Sequence, residues 1–331
     1  MHRLEKYISS GLLAYIIYFI ILILMFIPGM WQLGALLLFY IVLGQAFNIF
    51  LGLTGYVDFG YVAFLALGSY GMALAIKLFI GLGIGYSVIL IGLILGGLMS
   101  AILSSVVGGI ALRLRGAYFA IATIGVNEGF RFFIEGTDLW GGSAGLIIYR
   151  DMLEAYGREG VSFISTFIAD IMVFLIGILS VSIMTYITHS RVGYALRALR
   201  EDEDAAKILG INVTKYKIIA FILSAFLAGL LGASAWTLKL THVYPEETFN
   251  IIYTIEAIVI VMLGGSGTLL GPIIGGLIYG LLKYYLTAIW PGFQLLILAP
   301  ILIAIVTFFP VGLIGWLMAR VKGTKYEKYI V

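Results

Sequence analysis

Predominantly apolar runs, each about 20 residues long, recur from one end of this chain to the other. They constrain its fold more than any other feature. A segment inside hydrocarbon has no water for its peptide groups, so its backbone must bond within a helix or a closed barrel. Runs of this length match membrane helices; barrel strands need only about half as many residues. Hydrophobic residues make up 62% of the 331, charged ones 11%, and mean hydropathy is +1.10. A soluble domain sits near half apolar and a quarter charged. The fold class expected is therefore all-α: a polytopic membrane helical bundle in one membrane domain spanning residues 1–331.

About ten candidate spans follow from hydropathy: about 11–27, 31–51, 59–79, 86–112, 116–134, 162–188, 217–240, 251–264, 268–289 and 293–317. The first has Arg3 and Lys6 before it but no small-residue cleavage site, so it reads as a retained helix rather than a signal peptide. Gly264-Gly-Ser-Gly267 leaves a re-entrant turn open after the short eighth span, and the stretch 52–60 reads as unwound chain. The 42 glycines suit close helix approach, with small-xxx-small spacing at Gly92/Gly96, Gly125/Gly129, Gly271/Gly275 and Gly276/Gly280. The absence of Cys excludes disulfides, thiol catalysis and Cys-ligated metals, and three scattered His suggest no metal site.

Cytoplasmic loops carry the excess of Lys and Arg. With the N-terminus inside, the alternation places Arg3/Lys6, Arg113/Arg115, the 190–217 segment and the tail Arg320/Lys322/Lys325/Lys328 in the cytoplasm. Loops 135–160 and 241–250, which carry more acid, fall outside. Both termini are expected to be cytoplasmic.

Residues 190–217 hold six Lys/Arg and four Asp/Glu between apolar runs. The stretch reads as a helix with an apolar stripe at Leu196, Leu199, Ala206 and Leu209. Glu201 to Asp204 fall near a helix start, Gly210 suits a left-handed C-terminal position, and Asn212 or Thr214 can cap the next span. A solvated connector is the plain reading of a charged loop, but it needs neither the stripe nor the glycine.

Asp204-Ala-Ala-Lys-Ile-Leu-Gly210 is similar to the EAA loop of ABC importer permeases, with Asp in place of Glu. The run from Ser190 to Ala206 resembles the branched-chain amino acid permeases of that class, LivM-like branch. So do Gly52-Leu-Thr-Gly-Tyr-Val-Asp-Phe-Gly60, Leu112-Arg-Leu-Arg-Gly-Ala-Tyr-Phe-Ala-Ile-Ala-Thr-Ile-Gly125, Trp140-Gly-Gly-Ser-Ala-Gly-Leu146 and Gly264-Gly-Ser-Gly-Thr-Leu-Leu-Gly-Pro272. Asp58 and Tyr61 depart from the Ser and His more usual in that branch; an acid here is more typical of the related sugar permeases.

The resemblance implies a transport subunit in a prokaryotic cell membrane, and no enzyme. Its partners would be a second, LivH-like permease, two ABC ATP-binding subunits, an extracytoplasmic substrate-binding protein and membrane lipid, with no nucleic acid. ATP would be used by the partners, and this chain would bind no cofactor; it has no Walker motif. Coupling to the ATPases would fall to Arg197, Arg200, Glu201, Asp204, Ala205, Ala206 and Gly210. Branched-chain amino acids are the expected substrate, with urea, short amides or sugars as alternatives.

Ionisable groups inside spans are costly and invite a functional reading. A substrate pathway near Asp58, Tyr61, Asn127, Glu128 and Arg131 is one such reading; a structural Glu128–Arg131 pair is the plainer one for that couple. Asp170 and Glu256 read as acids packing against a partner subunit, while Lys77, Lys239 and Lys283 read as snorkelling toward span ends. Gln45 and Asn48 read as hydrogen-bonding a neighbouring helix. A rival class is an ion- or proton-coupled secondary transporter with Asp58, Glu128, Asp170 and Glu256 as a relay.

Overall fold

The computed structural model describes residues 2–289 and 312–321, with isolated positions at 296, 300, 303 and 307. Helices dominate. Five open the chain: α1 (His2–Met25), α2 (Trp31–Thr54), α3 (Val62–Phe79), α4 (Ser87–Ala111) and α5 (Ala117–Glu135). A short strand β1 (Leu146–Ile147) precedes α6 (Tyr149–Phe163), a π-helical stretch (Ile164–Ile168) and α7 (Ala169–His189). The charged segment forms α8 (Arg191–Glu201) and α9 (Glu203–Ile208), and α10 (Val213–Gly232) ends in a second π-helical stretch (Ala233–Leu238). Strand β2 (His242–Val243), α11 (Pro245–Thr248), α12 (Ile252–Gly264), α13 (Gly271–Ile289) and α14 (Gly312–Val321) follow.

Among the described residues seven helical stretches are long and apolar enough to cross a membrane: Trp31–Thr54, Val62–Leu82, Ser87–Ala111, Tyr149–His189, Val213–Leu238, Pro245–Gly264 and Gly271–Ile289. A shorter apolar helix, Gly11–Met25, stands at the first candidate span. The fifth span is helix α5, outside the seven because Asn127, Glu128 and Arg131 lower its hydropathy. The tenth span and the tail at Lys322, Lys325 and Lys328 lie largely or wholly outside the described residues. Loop 135–160 is not all loop. It contains most of α6, interrupted where Gly157 leaves the helical region at φ 68°. The Gly264–Gly271 break is a turn between two spans.

The chain divides into two compact units and crosses between them after Gly55, Ile176, Glu203 and Ile255. The first comprises Met1–Gly55, Gly177–Glu203 and Glu256–Val331. Its centre is α2, buried along nearly its whole length, with α13 laid against it. A Cβ on Gly276 would lie 2.6 Å from Ile41 Cα, and one on Gly280 would lie 2.9 Å from Leu37. Missing side chains therefore set the closeness of this crossing.

The second unit comprises Tyr56–Ile176 and Asp204–Ile255. In it α3, α4 and α10 meet at three glycines. A Cβ on Gly68 would sit 2.0 Å from Gly229 O, one on Gly96 would sit 2.6 Å from Gly68 O, and one on Gly229 2.7 Å from Gly96 O. Backbones this close let hydroxyls bridge the helices. Ser100 Oγ donates to Phe64 O (2.7 Å), Ser69 Oγ to Gly232 O (3.0 Å) and Thr237 Oγ1 to Ser69 O (2.8 Å). Gly125 and Gly129, by contrast, have no neighbour within 4 Å of an added Cβ, so their spacing serves no packing inside this chain among the described residues.

β1 and β2 pair antiparallel, Leu146 opposite Val243 and Ile147 opposite His242. Gly145 makes this possible: at φ 67°, its Cβ would lie 2.2 Å from Val243 O. The pairing joins the two loops that charge placed outside. In the same unit Arg115 meets Asp204, joining two segments placed inside.

Candidate functional site

The charged segment is two helices, not one. Ser190 caps α8, its Oγ accepting from Gly193 N at 3.4 Å. Asp202 then leaves the helical region at φ −153°, ψ 112°, and α9 begins afresh. The single helix expected over 190–217 is thus broken at Asp202, and the boundary between the units falls one residue later.

Gly210 ends α9 as expected. At φ 83° it donates from its N–H to Lys207 O (2.9 Å), while Ile211 N–H donates to Ala206 O (3.0 Å). This is a Schellman motif, the arrangement that satisfies the last carbonyls of a helix. Asn212 Oδ1 accepts from Lys215 N–H at 3.1 Å and caps α10.

The apolar stripe holds in part. Leu196, Leu199 and Ala206 are buried, but Leu209 is 78% exposed and Ile208 beside it 86%. The break at Asp202 and the left-handed turn at Gly210 take Leu209 off the line of the other three. Two large aliphatic side chains therefore stand at the tip of a charged segment.

The other expected coupling residues divide by direction. Arg197 staples α8 to the end of α7, its Nη2 donating to Thr188 O (2.7 Å), and its guanidinium lies over Tyr194. Arg200 donates to Gly52 O and, at 3.4 Å, to Ser266 Oγ. With Glu201, these arginines line a cavity of about 260 Å³ beside Gly52 and Gly267. Asn48 holds the same loop on α2, Nδ2 donating to Thr268 O and Oδ1 accepting from Gly267 N–H, both at 2.9 Å. Its partner is thus a turn rather than a helix. Asp204 forms a two-pronged pair with Arg115 (2.7 and 3.0 Å); both are exposed, as are Ala205 and Gly210.

The break before α3 is pinned to α5. Asp58 Oδ1 accepts from Gly60 N–H at 2.9 Å, and Thr123 Oγ1 from Phe59 N–H at 3.1 Å. Thr254 Oγ1 accepts from Val62 N–H at 3.0 Å, so side chains serve amide groups at the start of α3. Asp58 and Tyr61 are each 1% exposed and face protein in this conformation. One turn beyond Thr123, Asn127 is fully buried and donates from Nδ2 to Phe249 O (3.1 Å) and Glu128 Oε1 (3.2 Å). Arg131 lies between Glu128 (3.5 Å) and Glu135 (3.3 Å) on the same helix. Asp58 and Tyr61 are thus buried at the break, Asn127 is buried one turn along α5 from Thr123 with Phe249 O and Glu128 as partners, and Arg131 is occupied by two acids. Sequence spacing did not mark Thr123 or Thr254, because a threonine in an apolar run carries no distinctive pattern.

Two expectations are corrected. Asp170 and Glu256 do not wait for a partner subunit: Lys239 Nζ donates to Asp170 at 2.6 Å, and Lys283 Nζ donates to Glu256. These lysines bond inward rather than simply snorkelling. Each acid is almost wholly buried, at 4% and 3% exposure, and a buried carboxylate needs a counter-charge. Lone opposite charges in different spans were the available signal.

A membrane chain built almost wholly of helices, with a charged, glycine-terminated two-helix insertion, fits the class of polytopic membrane transport subunits. The profile of the family described as branched-chain amino acid transport system / permease component matches residues 29–306, and the chain belongs to that family. It is 28% identical over 314 residues to the high-affinity branched-chain amino acid transport system permease protein LivM of Salmonella typhimurium, covering 89% of this chain and 72% of that one. With LivM of Escherichia coli the identity is 29% over the same shares. The ribose import permease protein RbsC of Escherichia coli is 35% identical over 34% of this chain and 36% of its own. No solved structure matches. The protein is a multi-pass component of the cell membrane that works with other subunits.

Proposed function

We propose that this chain is the membrane-spanning subunit of an ATP-driven importer of branched-chain amino acids. A second permease, two ATP-binding subunits and an extracytoplasmic binding protein complete the assembly. The ATP-binding subunits use the nucleotide, and this chain holds no cofactor. The observation that carries coupling is the exposed pair Ile208 and Leu209, set at the tip of α9 by the Gly210 turn. Apolar side chains of this size, left in water on a charged segment, fit a groove on a soluble partner. Arg197 and Arg200 fix α8 to the ends of α7 and α2, so motion imposed on that helix reaches two spans directly. The substrate assignment rests on the two LivM proteins, which align over most of this chain.

The joined loops at β1 and β2 fit the outer surface that a binding protein would meet. The pairing of Asp170 and Glu256 with lysines weighs against a proton relay, which needs carboxylates able to release a proton in sequence. The test is Ile208→Glu with Leu209→Glu in the assembled complex. Both side chains are mostly in water, so the chain should insert normally. Retention of the ATP-binding subunits and ATP-driven leucine uptake should each fall at least tenfold; unchanged uptake would remove α9 from coupling.

A further inference from the structure

A second cavity, of about 360 Å³, lies in the unit that holds α10, at the end opposite Asp204 and α9. Its walls include Trp236, Tyr244 and Tyr253, with His242, Glu247 and Asn250 among them. Two backbone departures build it. The helix widens to a π-helical stretch over Ala233–Leu238, which carries Trp236, and such stretches recur at functional sites. Thr241 then adopts φ 59°, the only non-glycine residue with positive φ among the described residues. A β-branched side chain there is strained and persists only where the surroundings impose it. That turn sends His242 into its pairing with Ile147, and Pro245 starts α11 so that Glu247 comes back to His242, Oε2 to Nε2 3.5 Å. Trp236 and Tyr253 are 4.7 Å apart between ring centroids, as are His242 and Tyr244.

Three aromatic side chains and one carboxylate, with no lysine or arginine among the described lining residues, favour a cation over an anion. Glu247 is 64% exposed, with His242 Nε2 3.5 Å from its carboxylate and water over the rest. We propose that this cleft receives the primary ammonium group of the amino acid entering the transporter, held by the Glu247 carboxylate and the aromatic walls. The apolar remainder of the ligand lies along Trp236 and Leu240. Amino acid as the occupant rests on the import reading above; ammonium selectivity rests on the cleft alone.

The test uses the full chain in nanodiscs of phosphatidylglycerol. Leucine, 3-methylbutylamine (ammonium without carboxylate) and 4-methylpentanoate (carboxylate without ammonium) are titrated by calorimetry. Leucine and the amine should bind, and the carboxylate should not. Glu247→Gln, at an exposed position, should weaken both ligands at least tenfold, and Trp236→Phe should weaken them less than Trp236→Leu. Binding of 4-methylpentanoate as strong as that of the amine, or unchanged affinity in Glu247→Gln, overturns the proposal. Repeating the titration with phosphatidylethanolamine separates the sources of ammonium; loss of leucine binding there assigns the cleft to the lipid headgroup and overturns the amino acid as occupant. In the assembled complex, leucine uptake with both KM and maximal rate unchanged in Glu247→Gln would remove the cleft and leave the import reading. Ammonium binding without any branched-chain uptake would do the reverse.

Discussion

Glu256 and Lys283 show how a buried charge is made tolerable. The carboxylate is 3% exposed, and the lysine that reaches it also lies 5.1 Å from the Tyr40 ring centroid, within cation–π range. Removing one member of a buried pair strands the other and costs about 3 kcal/mol, whereas replacing both is far milder. Lys283→Met should therefore lower the thermal stability of the purified chain sharply, and Glu256→Gln/Lys283→Met should recover most of the loss. A double variant no more stable than the single one would show that the pair contributes little. The two residues were legible as costly charges in apolar runs. Their partnership was not, because 27 residues of chain and a turn separate them.

Helix positions were readable from hydropathy, and so was the small-residue spacing, but which glycines do the packing was not. Gly96 and Gly229 touch backbone of neighbouring helices, while Gly109, Gly125 and Gly129 meet nothing within 4 Å. Gly96, Gly109 and Gly229 sit in similar apolar runs; the difference is which face each helix turns to its neighbour. Gly229→Leu would drive a side chain into Ser100 and the Gly96 carbonyl, costing on the order of 3 kcal/mol or more. Gly109→Leu should be neutral. Monodispersity after detergent extraction reads both, and equal losses from the two would contradict the three-glycine crossing. The charged segment teaches the same lesson. Its stop at Gly210 and a helix start among the acids Glu201 to Asp204 follow from residue chemistry, yet the break at Asp202 that separates two helices has no glycine or proline, and the cap at Ser190 emerged only in the structure.

In the second unit, two contacts join segments that the sequence reading had put on one side: Arg115 meets Asp204, and β1 meets β2. Arg200 meets Gly52 and Ser266 in the first unit, and Tyr156 donates to Gly85 O at 2.8 Å in the second. The absence of native cysteine makes sidedness directly measurable. In intact cells an impermeant maleimide should label Glu247→Cys and spare Leu209→Cys; in inside-out vesicles the pattern should invert. Labelling of both from one side would overturn the topology.

Sequence alone determined that the chain is helical and membrane-embedded and that residues 190–217 form a charged helical insertion stopped at Gly210; the cytoplasmic side of that insertion is what the labelling experiment tests. These features follow from local chemistry: hydropathy over a span and the left-handed freedom of one glycine. The folded structure decided what depends on distant segments meeting. It paired Asp170 with Lys239, turned Ile208 and Leu209 outward, set Thr123 against the break at Asp58, and closed an aromatic cleft around Glu247. A hydropathy pattern records how deep a residue lies, but not which neighbour it faces, and in a bundle of apolar helices the facing neighbour decides what each polar group can do.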